Sequence, residues 1–148
     1  ADAEPAENVP RYRKLNVIAR WLGLGLVAGK VMPILFGKTF LGDPARAELR
    51  ALWKKHLTGN HKIGITRAVT GVIERKPIYD ELANIRCPAL VMVGDEDTAT
   101  VPAKADRIAA AIAGARLMAI PRAGHSSTIE EPAFVTAALT AFLARPQE

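Results

Sequence analysis

Asp97 and His125 are the two residues whose types and placement could do acid–base chemistry, because the elements around them put both at the ends of neighbouring strands. A carboxylate that holds one ring proton of an imidazole leaves the other nitrogen to draw a proton from a nucleophile. That nucleophile is missing. The only serines, Ser126 and Ser127, directly follow the histidine, and no G-x-S-x-G, the pattern of a sharp strand-to-helix turn that exposes a serine, can be drawn anywhere. Asp95, nearer the strand end, is a competing acid that would point differently. Structural readings stand beside these: Asp97 could cap the helix opening near Pro102, and His125, Ser126, Ser127 and Thr128 could cap the last helix.

The elements that must position this pair lie after Ile85. Pro88 to Val93 is a short unbroken apolar run bounded by proline and glycine, as in a strand buried on both faces, and a strand is expected over 89–93. A loop from Gly94 to Thr100 leads to a helix over about 102–112, Gly114 turns the chain into a second strand over 116–120, and a loop ends at His125. Glu131-Pro132 opens a final helix with Val135, Ala138, Leu139 and Phe142 facing inward. Strand, helix, strand implies a right-handed parallel unit, and chemistry in parallel sheets sits beyond the carboxyl ends of the strands. Upstream, residues 1–10 read as a loop and the chain is helical from Arg11. Asp43-Pro44 starts a helix over 44–57, a second covers 62–74, and the stretch 11–36 is helical but broken at Gly23, Gly25, Gly29 and Pro33.

The ordered set Val91-Met-Val-Gly94-Asp-Glu-Asp97, a helix, Gly114 to Pro121, then Ala123-Gly124-His125 resembles the last two strands of the α/β-hydrolase superfamily. The resemblance implies an α/β fold: the C-terminal part of that fold, its last two parallel strands with flanking helices, plus an all-helical cap. It makes Asp97 the catalytic acid and His125 the base. It also makes residues 1–10 a linker from a missing N-terminal half, 11–77 the cap over the active site, and 78–148 the C-terminal part of the core. Trp21, Met32, Phe36 and Trp53 would then line the substrate pocket, although core packing between cap helices explains each equally well. Strands one to six, the oxyanion loop and the nucleophile elbow have no counterpart here.

The activity so implied is that of a fragment whose intact parent hydrolyses a small carboxylic ester or lactone through a Ser-His-Asp triad. Similar capped members include 3-oxoadipate enol-lactonases, other carboxylesterases and cofactor-free perhydrolases. Epoxide hydrolases and dehalogenases share the acid and histidine region but use an aspartate nucleophile. The chain alone is expected to be inactive, to need no cofactor, and to pair with the missing half or a second copy of itself. The rival class is a non-catalytic binding module or swapped oligomer.

Composition removes other classes. The net charge of +5 is uneven, +6 over residues 1–85 (14 Lys/Arg against 8 Asp/Glu) and −1 over residues 86–148 (6 against 7), but the basic residues are scattered along helix faces and aromatics are few, so nucleic acid is not an expected partner. The longest apolar stretch, Ile18 to Phe40, is broken by Arg20, Lys30 and Lys38, which argues against a membrane span. The first residue is Ala1, with no initiator methionine, basic n-region or apolar signal core, and that start looks like a cut or processing point. One cysteine, Cys87, excludes an intrachain disulfide, reads as packing before the strand, and fits the cytoplasm. Gly23-Leu-Gly25-Leu-Val-Ala28 interrupts a helical stretch instead of following a strand, so it is no dinucleotide fingerprint. His56 and His61 lack a third ligand nearby, and no metal site is expected.

Overall fold

The computed structural model describes residues 2–144; Ala1 and residues 145–148, the extremes of the expected linker and core segments, lie outside the described residues. The described chain divides into two compact units, one made of residues 2–32 and 44–78, the other of 33–43 and 79–144.

In the first unit, helix α1 (Val9–Leu22) begins with Pro10 in its first turn, where the missing N–H has no helical partner to lose. It stops at Gly23, whose φ of 100° few side chains tolerate. Helix α2 (Gly25–Leu35) starts in this unit and runs into the second. Gly25, Gly29 and Pro33, expected as breaks, all sit within it. Burial of Val27, Ala28 and Met32 along one face offsets the roughly 1 kcal/mol that each glycine costs a helix, and Pro33 falls close to the C-terminal end. Ala19, Leu24 and Val27 form a small core with Leu15, Ile18, Val31 and Ile65 packed against it.

Ile65 comes from the helix expected over 62–74, here α5, after α3 and α4. Asn16 ties α1 to it by donating to the Thr66 carbonyl at 3.0 Å and to Thr70 Oγ1 at 3.2 Å. Helix α3 (Lys38–Gly42) was not foreseen. The expected helix 44–57 is a 3-10 turn over Pro44–Arg46 followed by α4 (Ala47–Gly59), and Asp43 sits at the end of α3, with Arg46 at the N-cap of α4. Helix α5 (Lys62–Glu74) is capped by His61, whose ring accepts from the Gly64 N–H.

The second unit carries strands β1 (Leu90–Gly94) and β2 (Arg116–Ile120), which pair in parallel from Leu90 opposite Arg116 to Gly94 opposite Ile120. The crossover is α6 (Pro102–Ala111), and the chain closes with α7 (Ser127–Glu130) and α8 (Pro132–Leu143). Ile120, Ala123 and Val135 make the core here, with Met92 against them. Of the face expected to point inward on α8, Val135 is buried and Leu139 is exposed. Cys87 is an exposed free thiol and not a packed one. Residues 33–43 fall with this unit, where hydrogen bonds from Gly37 and Thr39 reach Glu130 and Glu96. Among the described residues no helix is long and apolar enough to cross a membrane.

Candidate active site

The carboxyl ends of β1 and β2 are knitted together before any side chain is counted. Asp95 N–H donates to the Ile120 carbonyl at 3.0 Å, and Glu96 N–H to the Ala123 carbonyl at 2.9 Å. This approach requires Gly94, since a Cβ there would lie 2.1 Å from the Ala123 oxygen. Arg122, with φ of 59°, makes the left-handed turn that brings the second loop round to His125.

Asp97 is 7 % exposed and spends both oxygens. Oδ1 accepts from the Ala99 and Thr100 N–H groups, each at 2.8 Å, and Oδ2 lies 2.9 Å from His125 Nδ1. Burial pushes the Asp97 carboxyl up, but the His125 hydrogen bond, the two backbone donors and the imidazole charge together hold it below its ordinary value. An ionised carboxylate only accepts, so Nδ1 is the donor and the ring tautomer is fixed. Asp97 therefore turns its own loop and orients the imidazole at once. The His125 side chain is 45 % exposed, so one face of the pair is open. Asp95 is exposed, and the carboxylate on Nδ1 is that of Asp97.

Two further carboxylates escaped sequence reasoning. Glu130, 2 % exposed, accepts from Gly124 N–H at 2.9 Å and Gly37 N–H at 2.8 Å. Its burial, with the nearby Glu96 charge, raises its pKa despite those donors. Glu96 accepts from Thr39 N–H at 2.8 Å and Thr39 Oγ1 at 2.5 Å; burial raises its carboxyl, and the Thr39 bonds and the Lys38 charge bring it below the ordinary range. Nothing in the residue pattern distinguishes Glu130 from its neighbour Glu131, which a solvated helix start would explain as well. Ser126 sits at the N-cap of α7 without a side-chain bond to it, so the expected hydroxyl cap is not formed there.

The residues expected to line a pocket fall in both units, Trp21, Met32 and Trp53 in the first and Phe36 in the second. Trp21 is 76 % exposed and lines, with Asn16, Arg20, Thr66 and Arg67, a cleft of about 210 Å³ in the first unit. Trp53 is half-buried beside His56, their rings 5.3 Å apart, and Met32 is buried. Phe36, in the second unit, is buried and stacks on Phe40 at 4.8 Å. No group of three or more metal-ligating side chains occurs among the described residues.

The sequence model of the alpha/beta hydrolase family matches residues 2–138. No curated protein matches the sequence. Among solved structures, a malate-bound thermophilic esterase from Thermogutta terrifontis is 26% identical with a TM-score of 0.85, over 97% of this chain and 52% of that one. The enol-lactonase from Burkholderia xenovorans is 28% identical with a TM-score of 0.82, over 90% of this chain and 50% of that one. A putative non-heme bromoperoxidase from Mycobacterium tuberculosis, 20% identical with a TM-score of 0.79 over 96% of this chain and 54% of that one, shares the fold. The chain thus spans about half the length of the structures it matches.

Proposed function

The chain belongs to the alpha/beta hydrolase family, and from that premise we propose that it supplies the acid and base of a Ser-His-Asp triad in a protein that hydrolyses a small carboxylic ester or lactone. The observation that carries this reading is the 2.9 Å bond from His125 Nδ1 to a buried aspartate at the ends of adjacent parallel strands. The esterase and the enol-lactonase it resembles favour an ester or lactone over other substrates of the family.

In the proposed reaction Asp97 keeps the Nδ1 proton, and His125 Nε2 removes the proton of a serine carried by the N-terminal half. The serine oxygen attacks the carbonyl carbon, the carbonyl oxygen takes the negative charge, and the imidazolium returns its proton to the departing alkoxide. Water, deprotonated in turn by His125, releases the acid and restores the serine. The donors that stabilise the oxyanion would lie on the same absent half. No cofactor takes part.

The partner fits the same reading. Among the described residues β1 has β2 as its one neighbour, which suits a sheet continued along the other edge of β1 by the N-terminal half, with a second copy of the chain as the alternative. The single exposed thiol is in keeping with a cytoplasmic setting.

The test joins or mixes the chain with an N-terminal half that bears a nucleophile elbow and follows cleavage of a p-nitrophenyl ester. His125→Ala should abolish turnover; retained turnover would overturn the assignment. The chain alone should give no burst and no acyl adduct. A stoichiometric adduct on Ser126 or Ser127 in the mass spectrum, with turnover lost on its replacement by alanine, would show a self-sufficient enzyme instead.

A further inference from the structure

We infer that Glu130 is a positioning residue for the acid–base pair: its buried carboxylate clamps the backbone before His125 to residues 33–39, which in turn grip both sides of Asp97. The inference rests on the reading of Asp97 and His125 as a hydrolase pair.

The residues that flank the pair carry the argument. Before Asp97, Glu96 binds Thr39 through its N–H and hydroxyl; after it, Thr98 Oγ1 donates to the Pro33 carbonyl at 3.2 Å. Before His125, Gly124 N–H donates to Glu130 Oε1 at 2.9 Å; after it, Ser126 N–H donates to the Leu35 carbonyl at 2.8 Å. Glu130 closes the loop, because its Oε2 takes the Gly37 N–H at 2.8 Å. The backbones leave no slack: a Cβ on Gly124 would lie 2.3 Å from the Gly37 nitrogen, and one on Gly37 would lie 2.9 Å from the Gly124 nitrogen. Two charge-assisted bonds from one buried group fix direction as well as distance. Without them two buried N–H groups lose their acceptor, and of the ties that hold the His125 loop beside Asp97 only the Glu96 bond to the Ala123 carbonyl, the Ser126 bond to the Leu35 carbonyl and the His125–Asp97 bond itself are left to set its position. Burial of the carboxylate is thereby given a use, since an apolar side chain could fill the same space.

A merely structural role would lower stability and leave the imidazole where it is. The Nδ1 proton of His125 reports the difference in this chain without any turnover. It should give a low-field NMR signal, assigned among the three histidines by His125→Ala and lost in Asp97→Asn. In Glu130→Ala the signal should vanish or broaden well below the melting temperature. In Glu130→Gln, which keeps one acceptor and the shape, it should shift. Leu82→Ala, a core truncation elsewhere in the same unit, should lower the melting temperature and leave the signal in place. In the joined enzyme kcat should fall about a hundredfold for Glu130→Ala and about tenfold for Glu130→Gln, with KM nearly unchanged, as expected for misplacement of a reacting group by about an ångström.

Should Glu130→Ala not fold, the glutamine variant decides. An unmoved signal together with unchanged kcat in the folded Glu130 variants would overturn the inference. Retained turnover in His125→Ala would instead overturn the hydrolase reading and leave the effect of Glu130 on the Nδ1 signal standing.

Discussion

Around Asp97 and His125 the chain supplies its own order, whereas helices α4 and α5 supply little of theirs. The four residues that flank the pair in sequence are each bonded to residues 33–39 or to the carboxylate that holds them. By contrast α4 buries none of its thirteen residues, and α5 buries Thr66 alone. In the first region polar groups on three loops satisfy one another, whereas the second is helical with almost no buried side chain. Substitution should therefore act sharply in the first and mildly, or favourably, in the second.

The largest effect is expected at Asp97. In the joined enzyme Asp97→Asn should reduce kcat by about 10⁴, the loss seen when a triad acid can no longer hold the productive tautomer. Asp95→Asn, at an exposed residue two positions away, should leave kcat within a small factor of the parent. The two rates reversed would move the acid to Asp95 and break the comparison at its strongest point.

Next in size is Gly94→Ala. The added methyl would meet the Ala123 oxygen at 2.1 Å and the Gly124 oxygen at 2.4 Å, both backbone atoms of the loop that bears His125. Neither can yield without straining the Glu96 bond to the Ala123 carbonyl of that loop. A loss of about 3 kcal/mol or more in urea denaturation is expected, in the range of severe overpacking. A loss below about 1 kcal/mol would show that the loops are softer than the hydrogen bonds imply.

Sequence pattern reached the fold and the pair through different signals. The parallel strands were legible because an apolar run between Pro88 and Gly94 has few other uses, and β2 followed from the turn at Gly114. Asp97 and His125 were legible because both lie where strands end. The clamp was not. Glu96 and Glu130 gain their meaning from Gly37 and Thr39, some 57 to 93 residues away in the chain, and no local period records a partner at that distance. Helix α2 was obscured in another way: its glycines and Pro33 read as breaks, while buried Val27, Ala28 and Met32 hold it helical.

A smaller effect separates two carboxyls inside the ordered region by the sign of their response to pH. The folded Asp97 is held below its ordinary value, so its contribution is present above the unfolded value and is lost as pH falls through the folded one. The folded Glu130 is raised, so its contribution is complete below the unfolded value and declines as pH rises through the folded one. In urea denaturation from pH 7 into the acid range, the deficit of Asp97→Asn should shrink with acid. The deficit of Glu130→Gln should grow with acid. Parallel slopes for the two variants would mean that burial does not dominate at Glu130.

The smallest effect should carry the opposite sign and falls in the other region. Gly71 lies inside α5 (Lys62–Glu74), and a Cβ placed there meets nothing within 4 Å. Its backbone is already helical, so alanine requires no change in the folded state, while it narrows the conformations open to the unfolded chain. Gly71→Ala should therefore stabilise the protein by about 0.5–1 kcal/mol in urea denaturation, the usual difference between glycine and alanine in an exposed helix. The same replacement, one methyl for one hydrogen, is severe at Gly94 and beneficial at Gly71 because only the former faces backbone that other bonds hold fixed. A destabilising Gly71→Ala would require a surface covering that face of α5, and would turn the mild region of the comparison into a second ordered one.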